Sequence, residues 1–473
     1  MFAVAAASAP VAAKAQGNRE SLGEFSGAIL SDYGNFRSDV LNRYTLFLDS
    51  VWNEYPYFEG EKRYEVPKPK TLPAIGGGKS TAPSASSTLS AQSDSKVLNV
   101  PGISPINRDS IADRKIIVDF YGIPIDMVDI DYNIPDKLGR KSVSRLWDYM
   151  YGGGYHNAVL KEIRRVVGEL NLNDWLTYVL VDGYVDKKFE RHTPFTRNAL
   201  KHFLLANMGY DIRLAETGSG NSLLLLPFNQ FVYARPYIVI DGNRYYVMDG
   251  TKLAQEESVY TCAIPHDVDP GNSFELRINE LRLPYRPYQF RITDGDIEIE
   301  GEINANIIPV LCHYPEMPVG DYAESVVSGD VRSNIVRRLK EALDGKGKKE
   351  TAEALLHFTQ SAFEYAADGD FHGYEKPYFF EEMLYYPKND CEDRALFLSY
   401  LLSNVAGIEN HIIQYPGHEA TAFALPDEQL KGVCYTYKGK KFYIADPSCI
   451  GATTGTCMPC FERTTPKIDY IYK

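Results

Sequence analysis

The feature that most constrains this chain is a cysteine inside a polar run that leads straight into an apolar helix face. Residues 389–394 read Asn-Asp-Cys-Glu-Asp-Arg, and leucines follow at helical spacing at positions 396, 398, 401 and 402. This pattern predicts that Cys391 lies at or near a helix N-terminus. Unpaired N–H groups and the positive end of the helix dipole favour a thiolate at that position.

Two further motifs follow in the chain. Tyr415-Pro416-Gly417-His418 comes before the short apolar run 420–425, and the strand-like run 441–445 ends at Asp446-Pro447. A thiol nucleophile, an imidazole base and a carboxylate that orients the base are the three parts of nucleophilic acyl transfer. Cys391, His418 and Asp446 are therefore the candidate catalytic residues.

Two of the candidates, Cys391 and Asp446, also have a structural interpretation. A lone cysteine is more often a buried small hydrophobe than a nucleophile, and an Asp before Pro447 is a common turn residue. The acids beside Cys391 disfavour a thiolate, so activation would have to come from His418 and the helix end. Arg394 is predicted to have a structural role, in which it could pair with Asp393 or Glu392.

The three motifs together resemble the transglutaminase-like superfamily, which has a papain-like Cys-His-Asp fold. That family places its Cys at a helix start and its His and Asp on two neighbouring strands. The resemblance covers roughly residues 350–460 and is nearest to secreted bacterial members, through Glu-Lys-Pro-Tyr-Phe (375–379), Tyr-Pro-Gly-His (415–418) and Asp-Pro-Ser (446–448). It implies an α+β fold with a papain/transglutaminase-like core and acyl chemistry at Cys391, with no cofactor and no metal.

The resemblance also suggests an environment for the thiol. In the family, aromatic or amide side chains just upstream of the cysteine line the cleft and assist the oxyanion. Tyr385 and Tyr386 are the candidates for substrate and oxyanion contacts, and plain packing is the alternative role. The backbone N–H of Cys391 at the helix start is the other oxyanion donor.

The N-terminal part of the chain has three predicted segments. Residues 1–15 resemble a signal peptide, which predicts an exported, periplasmic or extracellular protein; an Ala-rich disordered tail is the alternative. Residues 16–65 are predicted to form an amphipathic helix because apolar and aromatic residues recur there at three- or four-residue steps. Residues 66–105 are rich in Pro, Ser and Gly and predict a flexible linker.

The remaining sequence contains an apparent repeat. The stretch 197–209 resembles 394–407, and 241–249 resembles 438–446. An internal duplication would explain both similarities, although chance similarity is the alternative. In that register Pro194 replaces Cys391, so we expect a degenerate transglutaminase-like domain over 106–255, a β-rich connecting segment over 256–330 and a catalytic domain over 331–473.

The composition narrows the classes of molecule that this chain is expected to bind. A net charge of −13 over 473 residues argues against nucleic acid and anionic membrane surfaces, and no run is long and apolar enough to span a membrane. A peptide or protein substrate is expected, for example a cell-wall peptide. Of seven cysteines, the six besides Cys391 could pair in an exported protein, but an unpaired set is equally compatible.

The sequence therefore predicts a cysteine acyl-transfer enzyme, with a protease or amidase that works through an acyl-thioester as the first choice. A protein cross-linking transglutaminase is one alternative, because the residues do not reveal whether water or an amine accepts the acyl group. The alternative from a different class is a non-catalytic envelope or surface binding module on the same scaffold.

Overall fold

The computed structural model describes residues 52–55, 59–60, 114–130, 132–154, 156–250, 258–262, 271–295 and 297–472. The predicted signal peptide (1–15) and linker (66–105) lie outside these ranges. Of the helix predicted over 16–65, only 52–55 and 59–60 are described, and both are strands. The described residues form a mixture of helices and strands, which agrees with the α+β class. No helix in the described part of the chain has the length and apolar character needed to cross a membrane.

The first unit begins with strands, continues through helices and ends in strands. The opening strands are β1 (Trp52–Tyr55), β2 (Glu59–Gly60), β3 (Lys115–Phe120) and β4 (Ile123–Val128). The helices are α1 (Val143–Gly153), α2 (His156–Leu170), α3 (Asp174–Lys188) and α4 (Pro194–Ala206). The closing strands are β5 (Arg213–Thr217), β6 (Ser222–Pro227), β7 (Pro236–Ile240), β8 (Asn243–Val247) and β9 (Val259–Cys262).

Seven of these strands form one antiparallel sheet in the order β1-β9-β5-β6-β8-β7-β2. Its two edge strands, β1 and β2, are separated by only three residues in the sequence. Since a chain spans at most about 3.6 Å per residue, the two edges of the sheet must lie close together. The sheet therefore curls round, and a separate cluster of apolar side chains packs on one of its faces. This closure explains why residues 52–55 and 59–60 form strands: tertiary pairing overrides their helical spacing.

The connecting segment contains strands and short helices. The hairpin of β10 (Pro287–Asp294) and β11 (Ile297–Asn304) turns at Gly295, as the Asp-Gly sequence predicts. Two short helices follow, α5 (Ile307–Cys312) and α6 (Val319–Glu324). The segment predicted to be β-rich thus also supplies helices.

The second unit again places helices before strands. Its helices are α7 (Gly329–Ala342), α8 (Lys348–Ser361), α9 (Asp368–Phe371) and α10 (Cys391–Asn404), with β12 (Glu364–Tyr365) and β13 (Lys388–Asn389) between them. Its main sheet is formed by β14 (Asn410–Tyr415), β15 (His418–Phe423), β16 (Cys434–Tyr437), β17 (Lys440–Ala445) and β18 (Lys467–Tyr472). Helix α10 packs on this sheet, where Thr421 Oγ1 donates to the Ala395 carbonyl at 3.3 Å.

The two units share an order of elements. In each, a helix is followed by two hairpins and a later strand, and the strand order is β9-β5-β6-β8-β7 in one and β18-β14-β15-β17-β16 in the other. The second hairpin of each unit turns on two residues with positive φ. These are Asp241 and Gly242 (50° and 83°) in the first unit and Lys438 and Gly439 (47° and 80°) in the second. Such turns match the right-handed twist of the strands that they join.

Candidate active site

Helix α10 begins at Cys391, as the sequence predicts. The preceding residue, Asp390, is the N-cap in an extended conformation, and its N–H donates to Asp393 Oδ2 at 3.2 Å. Asp393 Oδ1 accepts a second backbone N–H, from Tyr378, at 2.8 Å. An acid at the third helical position is the usual partner for the N-cap amide, so Asp393 serves to cap the helix.

His418 and Asp446 lie side by side on neighbouring strands. His418 opens β15 after a turn in which Gly417 has a φ of 76°, and Asp446 directly follows β17, the antiparallel neighbour of β15. Their Nε2 and Oδ2 atoms are 2.9 Å apart, and both side chains are at most 1% exposed. The Ser448 N–H donates to the other carboxylate oxygen of Asp446, Oδ1, at 2.9 Å. Asp446 is thereby fixed on both oxygens.

This pairing determines how His418 can act. A carboxylate at Nε2 keeps a proton on that nitrogen and leaves Nδ1 as the lone-pair acceptor of the neutral imidazole. Nδ1 is buried and has no hydrogen-bond partner among the residues that the structure describes. The nitrogen that a general base would use is therefore the unoccupied one.

The Cys391 thiol is almost fully buried, with 1% exposed. It donates a hydrogen bond to Glu392 Oε2 at 3.3 Å. The first turn of α10 is also joined to the strand end that carries Asp446, because Arg394 Nη1 donates to the Pro447 carbonyl at 3.3 Å. The fold thus joins the cysteine helix to the His418–Asp446 pair, with the thiol proton directed at the neighbouring carboxylate.

Acidic side chains from two segments of the chain converge at the first turn of the cysteine helix. Oxygen atoms of Asp368, Glu375, Asp390 and Glu392 lie within 4.8 Å of one another. Asp390 and Glu392 form a second such group with the Cys391 sulfur. In the described part of the chain, these are the residues whose ligand atoms converge closely enough to hold a cation. Asp368 and Glu375 come from a separate segment, and no pattern around Cys391 predicts their approach.

Tyr385 and Tyr386 lie in an aromatic cluster. The Tyr385 ring is 4.6 Å from that of Tyr288, and the Tyr386 ring is 5.0 Å from that of His372 and 5.2 Å from that of Tyr378. The contacts that the structure describes for these two rings do not involve Cys391 or His418. These ring contacts fix the segment that precedes β13, the short strand just before Cys391 in the chain.

One aromatic side chain that the sequence analysis missed covers the histidine. Phe461 ends a short 3₁₀ turn, Pro459–Phe461, and its ring is parallel to that of His418, with centroids 5.6 Å apart. The ring also stacks on Tyr415 at 4.6 Å. The same C-terminal loop carries Cys449, whose pKa is raised to about 12 by burial and by the charge of Asp446. None of the seven cysteines forms a disulfide.

Arg394 does not form the pair predicted from the sequence. The hydrogen bonds described for its guanidinium go to neutral oxygens rather than to Asp393 or Glu392: Asn389 Oδ1 and the carbonyls of Gln360, Phe363 and Pro447. Burial lowers the pKa of Arg394 to about 10. The prediction was wrong because the helix turns this side chain inward, toward backbone carbonyls, while Asp393 is already occupied by N–H donors.

Comparison with protein-family models gives no match, and comparison with curated proteins gives none either. The functional argument therefore depends on the residues and their geometry.

Proposed function

We propose that this chain is a cysteine-dependent acyl-transfer enzyme of transglutaminase-like type, which hydrolyses a peptide or amide bond. The observation that carries the proposal is the buried hydrogen bond between His418 Nε2 and Asp446 Oδ2. It leaves Nδ1 available as a base in the sheet on which the cysteine helix packs. A scaffold has no physical need for this combination of groups.

The chemistry would follow from these positions. His418 Nδ1 takes the proton of the Cys391 thiol, and the thiolate attacks the carbonyl carbon of the substrate. The imidazolium, stabilised by Asp446, returns the proton to the leaving amine as the C–N bond breaks. Water then attacks the acyl-thioester while His418 accepts its proton. The C–S bond breaks, the carboxylic acid leaves, and His418 returns the proton to the Cys391 thiolate.

The first turn of α10 would stabilise the oxyanion in this scheme. The backbone N–H of Cys391 points out of the helix N-terminus, where a developing negative charge is favoured. We assign the oxyanion to this N–H rather than to Tyr385 or Tyr386, because none of the contacts described for those two side chains is with Cys391 or His418. Before attack, the thiol must turn from Glu392 toward His418 Nδ1.

We also propose that the two units are copies of one fold and that the first has lost the chemistry. The shared strand order and the matching positive-φ turns support this. Leu225 pairs with Val247 as Ala422 pairs with Ile444, and if the copies are aligned on these pairs, Asn221 corresponds to His418. Pro194, the first residue of α4, takes the position of Cys391. The first copy would then contribute packing or binding.

Export to the periplasm or the cell exterior and action on a peptide or protein, for example a cell-wall peptide, remain part of the proposal. They depend on the leader-like residues 1–15 and on the family resemblance. A labelled primary amine added to the reaction would separate hydrolysis from cross-linking, since only a transamidating enzyme incorporates it into the acyl product.

The second candidate is a binding module without catalysis. The observations that favour it are the near-complete burial of Cys391 and His418 and the contact of the thiol with Glu392. In that case the polar groups of the site would only hold the helix on the sheet.

The pH dependence of Cys391 alkylation by iodoacetamide separates the two candidates. Peptide mass spectrometry follows each cysteine of the intact protein, and the midpoint measured for the exposed Cys434 serves as an internal reference. An enzyme is expected to show a lower midpoint for Cys391, which His418→Ala abolishes. A midpoint equal to that of Cys434, unaffected by His418→Ala, would favour the binding module.

A further inference from the structure

Arg394 is a fully buried cation on the first turn of the cysteine helix. It lies three residues after Cys391, a spacing that places both side chains on the same side of the helix. Its exposed fraction is 0%. Burying a guanidinium is costly unless its donors are satisfied, so such a residue needs a physical reason.

The donors of Arg394 reach three separate segments. Nε donates to Asn389 Oδ1 at 2.8 Å, just before the helix, and Nη2 donates to the Phe363 carbonyl at 2.9 Å, after α8. Nη1 donates to the carbonyls of Gln360 and Pro447 at 3.2 and 3.3 Å. The planar fork of an arginine can make these bonds together, whereas a lysine ammonium cannot.

Gln360 continues this network to Asp446. Its Nε2 donates to the Asp446 carbonyl at 3.1 Å and to the Ala452 carbonyl at 3.0 Å. Its Oε1 accepts the Gly451 N–H at 3.3 Å. Two consecutive carbonyls, those of Asp446 and Pro447, are therefore held by Gln360 and Arg394, and these two residues are bonded to each other.

We propose that Arg394 is a positioning residue that holds Cys391 and the His418–Asp446 pair in one frame, with Gln360 as its extension. The proposal rests on the acyl-transfer function proposed above. Cys391 lies at a helix start and Asp446 at a strand end. A displacement of either element therefore changes the distance between the thiol and the imidazole. A displacement of about 1 Å in such a site can cost about 100-fold in rate. The guanidinium joins the two elements directly.

The position of the charge agrees with this role. Asp390 and Glu392 lie beside the thiol and oppose a thiolate. The cation on the same turn partly offsets them, and the hydrogen bonds described for its guanidinium go to neutral oxygens. Arg394 thus supports the thiolate as well as the geometry.

The test is Arg394→Lys, which keeps the charge and removes the fork. The matched control is Arg332→Lys on α7, because Arg332 is also buried in the second unit but pairs with Glu381 at 3.0 Å. Both variants are compared with wild type and His418→Ala for the pH midpoint of Cys391 alkylation and for thermal unfolding. The midpoint is compared because the alkylation rate also depends on access to the thiol.

We expect both lysine variants to unfold at lower temperature and only Arg394→Lys to raise the Cys391 midpoint toward that of His418→Ala. An unchanged midpoint in Arg394→Lys would mean that the residue is structural only, and so would an equal shift in Arg332→Lys. Failure of the proposed function itself would appear separately, as a wild-type midpoint that does not depend on His418.

If Arg394→Lys does not fold, Gln360→Met keeps the proposal testable. Methionine has a similar shape, removes the donors to the Asp446 and Ala452 carbonyls, and leaves the Gln360 carbonyl for Arg394. The Cys391 midpoint should again rise. A folded Gln360→Met protein with the wild-type midpoint would overturn the proposal.

Discussion

His418 Nε2 donates to Asp446 Oδ2 over 2.9 Å, at a place where both side chains are almost completely excluded from water. In such surroundings the carboxylate has two effects on the ring. It fixes the proton on Nε2, and it stabilises the imidazolium that forms when Nδ1 takes a proton.

Asp446→Asn should therefore remove the activation of the thiol with little change in shape. An amide cannot stabilise the imidazolium, and it can present its NH₂ to the ring and favour the wrong tautomer. By analogy with other triads, we expect the rate of hydrolysis to fall by roughly 10²- to 10⁴-fold and the pH midpoint of Cys391 alkylation to rise to that of His418→Ala.

The matched control is Asp249→Asn, at the corresponding position after β8 of the first unit. This variant should leave the rate of hydrolysis and the Cys391 midpoint unchanged. A wild-type midpoint in Asp446→Asn would show that the carboxylate does not act on the thiol.

Glu392→Gln should change the pH midpoint of Cys391 alkylation in the direction opposite to Asp446→Asn. The Glu392 carboxylate accepts the thiol hydrogen bond and places a negative charge beside the sulfur. Removing that charge favours the thiolate, so the alkylation midpoint of Cys391 should fall, by about one pH unit. The measurement is the same mass-spectrometric titration, with the exposed Glu341→Gln on α7 as control. A rise in the midpoint would instead mean that Glu392 helps to activate the thiol.

The local sequence was sufficient to predict the start of α10 and the strand positions of His418 and Asp446. Each has a short-range cause: a polar N-cap before a leucine face, a Pro-Gly turn before a strand, and a strand that ends in Asp-Pro. The residues that complete the site could not be predicted in this way. Gln360, Phe461 and Glu375 reach it from separate segments, and only the tertiary fold determines their contacts.

The same limit explains two errors. The apolar residues of the segment 16–65 recur at helical spacing, but residues 52–55 and 59–60 pair with β9 and β7 as the edge strands of the first sheet. Arg394 was expected to pair with an adjacent acid, but the capping hydrogen bonds of Asp393 had already used that carboxylate. In both cases a local preference was outweighed by backbone hydrogen bonds that sequence spacing does not reveal.

His202 should make the stability of the first unit depend on pH. Burial and the charge of Arg213 lower the pKa of His202 to about 3, whereas an unfolded histidine titrates near 6.5. Below about pH 6.5 the unfolded state binds a proton that the folded state does not. The free energy of unfolding should then fall by about 1.4 kcal/mol per pH unit until about pH 3.

The variant His202→Leu tests this dependence. Leucine has a similar volume and cannot titrate, so its free energy of unfolding should fall less steeply with decreasing pH than that of wild type. Urea unfolding between about pH 7 and pH 4, followed by tryptophan fluorescence, measures the two slopes. The Trp147 ring lies 5.5 Å from His202 and reports on this part of the core. Equal slopes for the two proteins would contradict the prediction.

Phe461 should limit access to the site. Its ring lies parallel to the His418 ring, and the thiol and the imidazole are each only 1% exposed, so a substrate carbonyl reaches them only after part of the structure moves. The loop that carries Phe461 covers His418 and is therefore the segment expected to move. Phe461→Ala should raise the rate of Cys391 alkylation severalfold. The pH midpoint of Cys391 alkylation should stay at the wild-type value, because the hydrogen bond between His418 and Asp446 does not involve the phenyl ring.

Phe231→Ala is the matched control for this variant. The half-buried Phe231 ring packs against Tyr233 in the first unit, far from Cys391 in sequence, and its loss should leave the alkylation rate unchanged. A shift in the midpoint of Phe461→Ala would show that the ring also holds His418 in place, and an unchanged rate would mean that the thiol is reached by another path.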